Sequence, residues 1–594
     1  MKNDNLETMR HSLAHIMAAA VSKLWSGAKL GIGPSVDDGF YYDFDLGEAT
    51  ISEDDFKRIE KEMRRIIAGK LEFVRTEKTV DEALAWARDN DQPYKLELIE
   101  ELRDAGEPIS FYSCGDFVDL CRGPHLANTS EVGAFKLMRV AGAYWRGDEK
   151  RPQMQRLYGV AFATDAELQA HLAQIEEAKK RDHRKLGQEL DLFTFSDLVG
   201  AGLPLYTPRG TVLIEELKNA LKEISAKYDM QPVSIPHLAK IELYETSGHA
   251  QKFADELFRV KSHYDQEFVL KPVNCPHHTQ IYASRPRSYR ELPLRYIEQT
   301  MQYRDEKPGQ IGGLQRTRGF TVDDGHTFCR VDQIEQEASV LVDIIEGFYK
   351  SLGLWGEHWV SLSVRDYSAP EKYIGEPDDW DAAESMLASV AEKHGLDARK
   401  MEGEAALYGP KIDFMFKDSL GRETQLATIQ LDFAMPKRFG LKYTDQEGAE
   451  QVPVMIHRAI LGSFERFTML LIEHFAGRFP VWLSPEQLRV IKVKDLPEVD
   501  EFAERVMALA KEHGVRATLD DSNNSVGKKI RSAEVAKVPY SIVVGEKEAA
   551  SGQLPLRIRA DLVADETAEH VYAPEQLIKS IANEARGRVS KSSL

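Results

Sequence analysis

The sequence predicts a multidomain protein of the α+β class, with an antiparallel sheet in the middle of the chain. Residues 188–481 alternate helices with strands rich in β-branched and aromatic residues, and no GxGxxG motif follows a first strand. Strands and helices also alternate on either side, in residues 1–162 and 482–594, which predicts an α/β domain at each end. A length of 594 residues suits three or four domains.

Composition indicates an ordinary soluble chain. Hydrophobic residues make up 42% and charged residues 29%, and no apolar run approaches the roughly 18 residues of a membrane span. The charged start MKNDNLETMRHSLAH lacks the apolar core of a secretory signal. We therefore expect a cytoplasmic protein without a membrane partner.

Cysteine content and net charge narrow the function classes further. Four cysteines without a CxxC pair argue against a disulfide framework. A formal net charge of −19 argues mildly against nucleic acid as a partner, because phosphate binding normally shows as a basic field. A local basic strip at residues 179–185 still allows such contact.

The N-terminal domain is predicted over residues 1–162. It opens on an amphipathic helix, continues with the strand GFYYDFD, and carries helices near residues 53–69 and 81–103. Residues 163–187 space Leu and Ile among charges behind Asp165 as a plausible cap, which predicts a solvated linker helix.

The central domain, residues 188–481, contains both helical and strand patterns. One helix is predicted from Thr211, and another follows Asp332, which forms a cap-like pattern with Glu335. TQLATIQLDF predicts a buried strand, and IHRAILGSFERFTMLLIEHF predicts a core helix.

The C-terminal domain, residues 482–594, begins after the segment WLSP. The strands LRVIKV, VRATLD, PYSIVVG and LPLRIRA are interleaved with helices near residues 499–513, 526–537 and 575–589. This order is typical of a small βαβ-type domain.

The segment RYIEQTMQYRDEKPGQIGGLQRTRGFTVDDGHTFCR, residues 295–330, predicts an antiparallel hairpin with a long Gly-rich and charged loop. Arg304 and Glu306 are two residues apart, so both side chains should point to one face of the strand. One can bind phosphate and the other can accept from an exocyclic amine. Alone, however, an Arg-x-Glu pair is far more often a surface ion pair on an ordinary hairpin.

Metal-ligating residue types occur in two groups. Cys275, His326 and His457 lie far apart, so their spacing gives no zinc signature and each alone reads as a core residue. In the N-terminal domain, HSLAH places two histidines on one helical face, and DLCRGPH adds a Cys and a third His. From residue types alone, this second group is either a tetrahedral zinc site or unrelated helix and loop residues.

The hairpin resembles motif 2 of the class II aminoacyl-tRNA synthetases, and RGFTVDDGHTFC resembles the threonyl enzymes. The resemblance covers essentially the whole chain. It implies one Zn²⁺ per subunit on Cys275, His326 and His457, with an open coordination position. In that family the metal holds the amino group and hydroxyl of threonine, which rejects valine but not serine. An apolar pocket would separate valine from threonine by only about 1–3 kcal/mol.

The resemblance also assigns the remaining catalytic positions. Those expected to bind ATP and the adenylate are Arg304, Glu306, Arg316, Phe320, Gln425, Thr428 and Arg466. Those expected to bind threonine are Asp324, Tyr408, Lys411 and Gln430. His249 matches the residue proposed to activate the tRNA ribose, and Mg²⁺ should accompany ATP.

Hydrolysis of mischarged Ser-tRNA is expected from the N-terminal domain, which resembles the editing domain shared by threonyl and alanyl enzymes. In threonyl enzymes the cluster works without a required metal. The matching residues are His11, His15, Tyr42, Lys95, Asp119, Cys121 and His125. Lys95 and His11 are the leading candidates to handle the attacking water.

Partners follow from the same likeness. The C-terminal domain resembles the class II anticodon-binding domain, with Asn523, Lys537, Glu548 and Arg557 at base-reading positions. Taken alone, these are polar surface residues. Pro236 matches the motif 1 proline of a homodimer interface.

The sequence departs from the family pattern at four places. The N-terminal ubiquitin-like domain of bacterial members is expected to be absent. Val322 replaces Gln near the substrate carboxylate, and His277 replaces Gly beside the metal motif, where it could ligate, pack or be exposed. Lys537 replaces Arg and cannot form a bidentate fork.

The resemblance implies a threonine–tRNA ligase that uses threonine, ATP and tRNA(Thr) and edits Ser-tRNA(Thr). A non-catalytic RNA-binding or regulatory paralogue is the alternative from another class. Intact Arg304, Glu306, Arg316 and Arg466 argue against it, because a binding-only protein has no physical need of them. A ligase specialised for another acceptor, or for resistance to an inhibitor, is a further alternative that rests on Val322 alone.

Overall fold

A computed structural model describes residues 2–36, 38–148, 150–252, 254–356, 358–418, 421–563, 570–589 and 591–594. The chain divides into two compact units, Met1–Glu176 and Glu177–Leu594. None of the helices in these described ranges combines the length and apolarity of a membrane span.

The first unit is built from antiparallel sheets and helices. Its helices are α1 (Lys2–Leu24), α2 (Phe56–Ala68), α3 (Val80–Asp89) and α4 (Pro93–Asp104). Its strands are β1 (Lys29–Leu30), β2 (Ser35–Val36), β3 (Gly39–Asp45), β4 (Phe73–Glu77), β5 (Ser110–Cys114), β6 (Phe117–Leu120), β7 (Ala134–Tyr144) and β8 (Gln153–Phe162). One sheet has the order β1-β3-β8-β7 with β2 paired to β3, and the other has the order β4-β5-β6. The α1 helix packs its apolar residues against the first sheet.

The linker helix and one of the predicted N-terminal helices are each divided into two shorter helices. The helix predicted near residues 81–103 is two helices, because Asp91 adopts a positive φ of 49° and Pro93 starts α4. The linker helix α5 (Asp165–Arg181) stops before Asp182, whose carboxylate accepts from the Arg184 N–H and caps the next helix. Individual residues decide both breaks, and the spacing of hydrophobic residues does not reveal them.

The second unit contains the large antiparallel sheet. Its first helices and strands are α6 (His183–Glu189), β9 (Phe193–Thr194), β10 (Leu205–Tyr206), α7 (Pro208–Ala226), β11 (Gln231–Pro232), β12 (Leu238–Ala239), α8 (Ile241–Ser247), α9 (His249–Lys252), β13 (Arg259–Lys261), β14 (Glu267–Leu270), α10 (Cys275–Ala283), β15 (Leu294–Tyr303), β16 (Gly319–Cys329) and α11 (Ile334–Ser351). The next are β17 (His358–Val364), α12 (Pro377–Lys393), β18 (Ala398–Glu402), β19 (Lys411–Lys417), β20 (Glu423–Asp432), α13 (Ala434–Arg438), β21 (Tyr443–Thr444), β22 (Glu450–Gln451), β23 (Val454–Ser463) and α14 (Phe464–Phe475).

Eight strands pair in the order β11-β15-β16-β23-β20-β19-β17-β18. The inner pairs are antiparallel, and the outermost pair at each edge is parallel. Helices α7, α11, α12 and α14 bury their apolar faces in the core behind this sheet. The predicted α+β class is confirmed, as is the hairpin of β15 and β16.

Two predictions about the helices of this unit were wrong. The segment Ile456 to Phe475 is not one helix, because its first half is β23, paired on both sides with β16 and β20. Ser463 then caps α14 by accepting from the Arg466 N–H. Asp332 does not cap α11 either, since its carboxylate accepts from the Arg330 guanidinium.

The C-terminal part continues with β24 (Leu488–Lys492), α15 (Pro497–Glu512), β25 (Ala517–Asp520), α16 (Val526–Val535), β26 (Tyr540–Val544), α17 (Glu546–Ser551), β27 (Leu554–Ile558), β28 (Val571–Tyr572) and α18 (Pro574–Gly587). The sheet order is β25-β24-β26-β27-β28, with β24 parallel to both neighbours. The sequence predicted this alternation but not the short elements α17 and β28.

Truncating Leu217 on α7 should destabilise the second unit. The residue is fully buried in the core behind the sheet, and a Leu→Ala change at such a site costs about 2–5 kcal/mol. Urea unfolding followed by circular dichroism should show a lower midpoint for Leu217→Ala. The control is Leu198→Ala, because Leu198 is 100% exposed. Equal midpoints for the two variants would contradict the assigned core.

Candidate functional site

The sheet register aligns the predicted ligands in one transverse row. His326 on β16 lies opposite His457 on β23, His457 opposite Gln430 on β20, and Gln430 opposite Lys411 on β19. Residues that lie opposite one another in an antiparallel ladder share a face of the sheet. Cys275, the first residue of α10, meets the two histidines so that one ligand atom of each of the three lies within 4.8 Å of the others.

Buried partners orient both imidazoles. His457 Nε2 lies 2.8 Å from Asp432 Oδ2, and His326 Nδ1 lies 2.7 Å from Nδ1 of His278. Each of these two histidines thus has one ring nitrogen occupied and the other available, which is the usual arrangement around protein zinc sites. One thiol and two imidazoles, all buried, suit zinc. Burial raises the pKa of Cys275, so a bound cation would be what makes it a thiolate.

The next row of the sheet carries an acidic acceptor. Asp324 lies opposite Ala459, which lies opposite Thr428. Asn274 donates to Asp324 Oδ2 at 2.9 Å, and burial raises the pKa of this carboxyl. Asp324, Ala459 and Thr428 are each only partly buried, so this row of the sheet is accessible between the acidic and hydroxyl side chains.

A hydrogen-bonded network of side chains from β19, β20 and the segment before β19 lies beside the trio. Tyr408 stacks on His457 with ring centroids 4.6 Å apart, and its hydroxyl donates to Gln430 Oε1 at 2.8 Å. Lys411 and Gln425 both donate to the buried Asp413, each at 2.7 Å.

Sequence reasoning missed Asp413 as well as Asp432 and His278. The signal for Asp413 was its position two residues after Lys411 on one strand face. Asp432 lies in the segment TQLATIQLDF and His278 follows Cys275 by three residues, but a linear motif does not show which neighbour orients a candidate ligand.

A cluster of guanidinium groups lies beside the hairpin. The strand β15 ends at Tyr303, so Arg304 and Glu306 lie in the following loop, not on the strand as predicted. Arg316 Nε donates to Glu306 Oε2 at 2.7 Å, and the Arg304 guanidinium lies 5.4 Å from the Phe320 ring centroid.

The charges of this cluster repel one another. Burial lowers the pKa of Arg304 and of Arg466, and in each case the neighbouring Arg316 lowers it further. Three cations that converge in this way form a candidate anion site.

His249 lies beside the ligand trio at the start of α9. Its Nδ1 is 2.9 Å from Ser247 Oγ, and its Nε2 is 4.0 Å from Cys275 Sγ. His277, the residue that replaces glycine, is buried and packs near Tyr244 at a centroid distance of 6.1 Å. It is not part of the ligand trio. Val322 lies opposite Thr300, whose hydroxyl accepts from Lys271 at 2.9 Å.

The N-terminal cluster converges on a thiol. Cys121 Sγ lies 3.3 Å from Nε2 of both His11 and His125. His11 Nδ1 lies 3.1 Å from the Pro124 carbonyl oxygen and must donate to it. His125 Nδ1 donates to Ser12 Oγ at 3.2 Å, because the Ser12 hydroxyl already donates to a carbonyl. Two imidazole lone pairs therefore face one sulfur atom, and Ser12 is a contact that the sequence did not reveal.

A buried polar triangle adjoins this cluster. Lys95 Nζ lies 2.7 Å from Asp119 Oδ1 and donates to the Tyr42 hydroxyl at 3.1 Å. Tyr42 donates to the other Asp119 oxygen, and His15 Nε2 lies 3.9 Å from that oxygen. Lys95 is thus held as one half of an ion pair beside the histidines.

The predicted anticodon positions fall in different places. Lys537 and Arg557 line one cavity of about 620 Å³, together with Arg478 and other residues. Asn523 and Glu548 do not line this cavity in the described part of the chain. Glu548 instead accepts from the Gly545 N–H at 3.0 Å and caps α17.

Comparison with known proteins assigns the class. Residues 258–475 match the tRNA synthetase class II core domain (G, H, P, S and T). Residues 109–158 match the threonyl and alanyl tRNA synthetase second additional domain, and residues 487–584 match an anticodon binding domain. These three matches, together with an antiparallel sheet that carries a guanidinium cluster, identify a class II aminoacyl-tRNA synthetase.

Individual relatives narrow the class to one family. The chain is 46% identical to the threonine–tRNA ligase of Cytophaga hutchinsonii over 93% of this chain and 85% of the relative. It is 48% identical to the threonine–tRNA ligase of Gloeobacter violaceus over 94% of this chain and 89% of the relative. The chain belongs to the threonine–tRNA ligase family.

A solved structure agrees with this assignment. The RNA binding domain of threonyl-tRNA synthetase from Cryptosporidium parvum matches with a TM-score of 0.64 and 34% identity, over 69% of this chain and 99% of that one. Together the matches favour the ligase over the RNA-binding paralogue.

Alkylation should distinguish a free Cys121 from a metal-bound one. Cys121 is half-buried, whereas the other three cysteines are buried, so iodoacetamide should modify it first. Burial raises its pKa to about 11, so the reactive thiolate is scarce at pH 7. The rate should rise about tenfold per pH unit between pH 7 and 9. Peptide mass spectrometry would measure it.

A chelator provides the control for this measurement. Without a metal, EDTA leaves the alkylation rate of Cys121 unchanged. A rate that is low until EDTA is added would contradict the free thiol and support the tetrahedral zinc alternative for the N-terminal cluster.

Proposed function

We propose that the chain activates L-threonine with Mg²⁺–ATP, transfers the threonyl group to tRNA(Thr), and hydrolyses mischarged Ser-tRNA(Thr). One observation carries the proposal: Cys275, His326 and His457 meet at the same sheet whose hairpin carries the guanidinium cluster. The first group suits a metal that can ligate a hydroxyl, and the second suits a triphosphate.

Activation requires positioning and charge stabilisation. A carboxylate oxygen of threonine attacks the α-phosphorus, and the bond to pyrophosphate breaks. Arg304 is the candidate to contact the α-phosphate, and Arg316 and Arg466 the outer phosphates, where fixed positive charge stabilises the pentacovalent transition state. Phe320 offers a face to adenine, and Glu306 an acceptor for its amine.

Selection of threonine combines the metal trio with Asp324. A zinc ion held by the trio would act as a Lewis acid that ligates the amino group and hydroxyl of the substrate. Asp324 is the candidate to accept a hydrogen bond from that hydroxyl, and valine cannot donate this bond to the carboxylate. Such a loss discriminates far more strongly than the about 1–3 kcal/mol of an apolar pocket.

Transfer and editing use imidazoles in separate units. His249 is the candidate to help activate the ribose hydroxyl, since it lies beside the metal trio. In the first unit, His11 has an Nε2 lone pair beside Cys121 and can accept a proton from water. Lys95 is paired with Asp119. Its positive charge is suited to orient the attacking water or the ester of the mischarged Ser-tRNA.

The assembly is a homodimer in the cytoplasm. The motif 1 segment supports this proposal, because Pro236 and its neighbours Ser234, His237 and Leu238 are exposed. The cavity beside Lys537 and Arg557 is the proposed contact for splayed anticodon bases.

Threonine-dependent exchange of pyrophosphate into ATP tests the synthetic function. Threonine should support exchange, serine weakly and valine hardly at all, and activity should follow removal and return of zinc. Asp432→Asn removes the carboxylate that orients His457, so it should weaken zinc binding about 10–100-fold. Chelator competition would measure that affinity.

The matched control is Asp445→Asn, a carboxylate in an exposed turn, which should bind zinc as the unchanged protein does. Absence of exchange with every amino acid in zinc-loaded protein would overturn the ligase assignment.

Deacylation of preformed Ser-tRNA(Thr) tests the editing function. His11→Ala should slow hydrolysis about 10²–10⁴-fold, the usual contribution of a general base. Threonine-dependent exchange should stay unchanged, because His11 lies in the other unit. The control is His171→Ala, which replaces a histidine on the linker helix α5. This variant should hydrolyse Ser-tRNA(Thr) at the rate of the unchanged protein. Normal hydrolysis by His11→Ala would remove His11 from the mechanism.

A further inference from the structure

A buried histidine outside both sites connects three segments of the second unit. His183 begins α6, and its Nδ1 lies 2.7 Å from Oε1 of Glu473 on α14. Its Nε2 accepts from the Leu314 backbone N–H at 3.1 Å. Leu314 belongs to the motif 2 loop, residues 304–318, and lies two residues before Arg316.

The partners of His183 fix its tautomer. The Leu314 N–H can only donate, so Nε2 carries the lone pair and Nδ1 carries the proton that Glu473 accepts. Burial raises the pKa of Glu473, but hydrogen bonds from His183 and Arg422 outweigh burial and lower it below its ordinary value. The carboxylate is therefore charged and holds the imidazole in the orientation that accepts from the loop.

This group does not offer a metal site, although Asp182, His183 and Glu473 lie close together. Both ring nitrogens of His183 are occupied, as described above. The Asp182 carboxylate accepts from the backbone N–H of Arg184 at 2.8 Å and pairs with its guanidinium. The residues are thus satisfied by one another and by the loop.

The motif 2 loop packs closely on this histidine. Gly313 has a φ of +51°, and a Cβ at this position would lie 2.2 Å from His183 Nε2. The Leu314 side chain is buried in the core behind the sheet. The carbonyl of Gln315 accepts from Arg466 Nε at 3.4 Å. The loop is therefore anchored immediately before the arginine that it presents to the anion site.

We propose that His183 is a positioning residue for ATP, which holds the motif 2 loop in its nucleotide-binding conformation before ATP arrives. This inference rests on the proposed function, which identifies the nucleotide. Without the acceptor at Nε2, the Leu314 N–H loses its partner and the loop populates other conformations. The apparent Kd for ATP then rises in inverse proportion to the fraction of molecules that keep the binding-competent conformation.

Two substitutions of His183 test this role. His183→Leu keeps an apolar side chain against Phe193 but can neither accept from Leu314 nor donate to Glu473. It should raise the KM for ATP about tenfold, which is the loss expected from one unsatisfied buried group. His183→Gln presents an amide oxygen and an N–H at similar reach, so it should restore most of the ATP affinity.

The readout is pyrophosphate exchange with ATP and threonine titrated separately. The KM for threonine and kcat should change little, because saturating ATP orders the loop. His513→Leu, a histidine at the end of α15, is the control and should keep the KM for ATP of the unchanged protein.

Three outcomes would overturn the role of His183. They are an unchanged KM for ATP in His183→Leu, an equal rise in the KM for threonine, and a Gln variant no better than Leu. If the unchanged protein shows no exchange at all, the proposed function fails instead. Calorimetric ATP affinities of the same variants would then decide the positioning role.

Discussion

The register between β16 and β23 is the constraint on which the synthetic site depends. A slip of one residue would turn His326 and Asp324 to the opposite face of the sheet. A buried ion pair on that opposite face fixes the register: Arg458 Nη1 lies 2.5 Å from Asp323 Oδ2, which also accepts from the Ile460 N–H at 3.1 Å. Gly325 permits the close approach, since a Cβ there would lie 2.5 Å from Arg458 Nε. Breaking such a buried pair costs about 3–5 kcal/mol.

Buried acceptors behind the candidate sites set the direction of several of their side chains. Asp432 orients His457, Asp413 holds Lys411 and Gln425, and Ser12 orients His125. Each partner also determines which ring or amide atom faces the substrate, because a group that has one atom committed presents the other. The chemistry of each of these side chains therefore depends on a partner outside the predicted set of site residues.

The two clusters of imidazole and thiol differ in a way that suits different tasks. Around Cys275 the histidines have acidic or imidazole partners and are fully enclosed, which favours a fixed cation. Around Cys121 two lone pairs face a half-exposed sulfur, and the nearest charges are the Lys95–Asp119 pair. A hydroxyl-selective synthetic site accepts serine at a loss of only about 1–3 kcal/mol. A separate hydrolytic site is therefore needed to remove serine that has been attached to the tRNA.

The sequence by itself determined the α+β class, the hairpin of β15 and β16, the strand β20 and the alternation of the C-terminal domain. It could do so because the spacing of apolar side chains and the presence of Gly-rich loops are local signals. Family motifs also predicted the residues of the candidate sites. The tertiary structure alone decided that Ile456 to Phe475 is half strand, since two neighbouring strands supply its hydrogen bonds. It alone revealed Asp432, Asp413, Ser12 and His183, because a linear pattern encodes burial but not which distant atom satisfies a buried polar group.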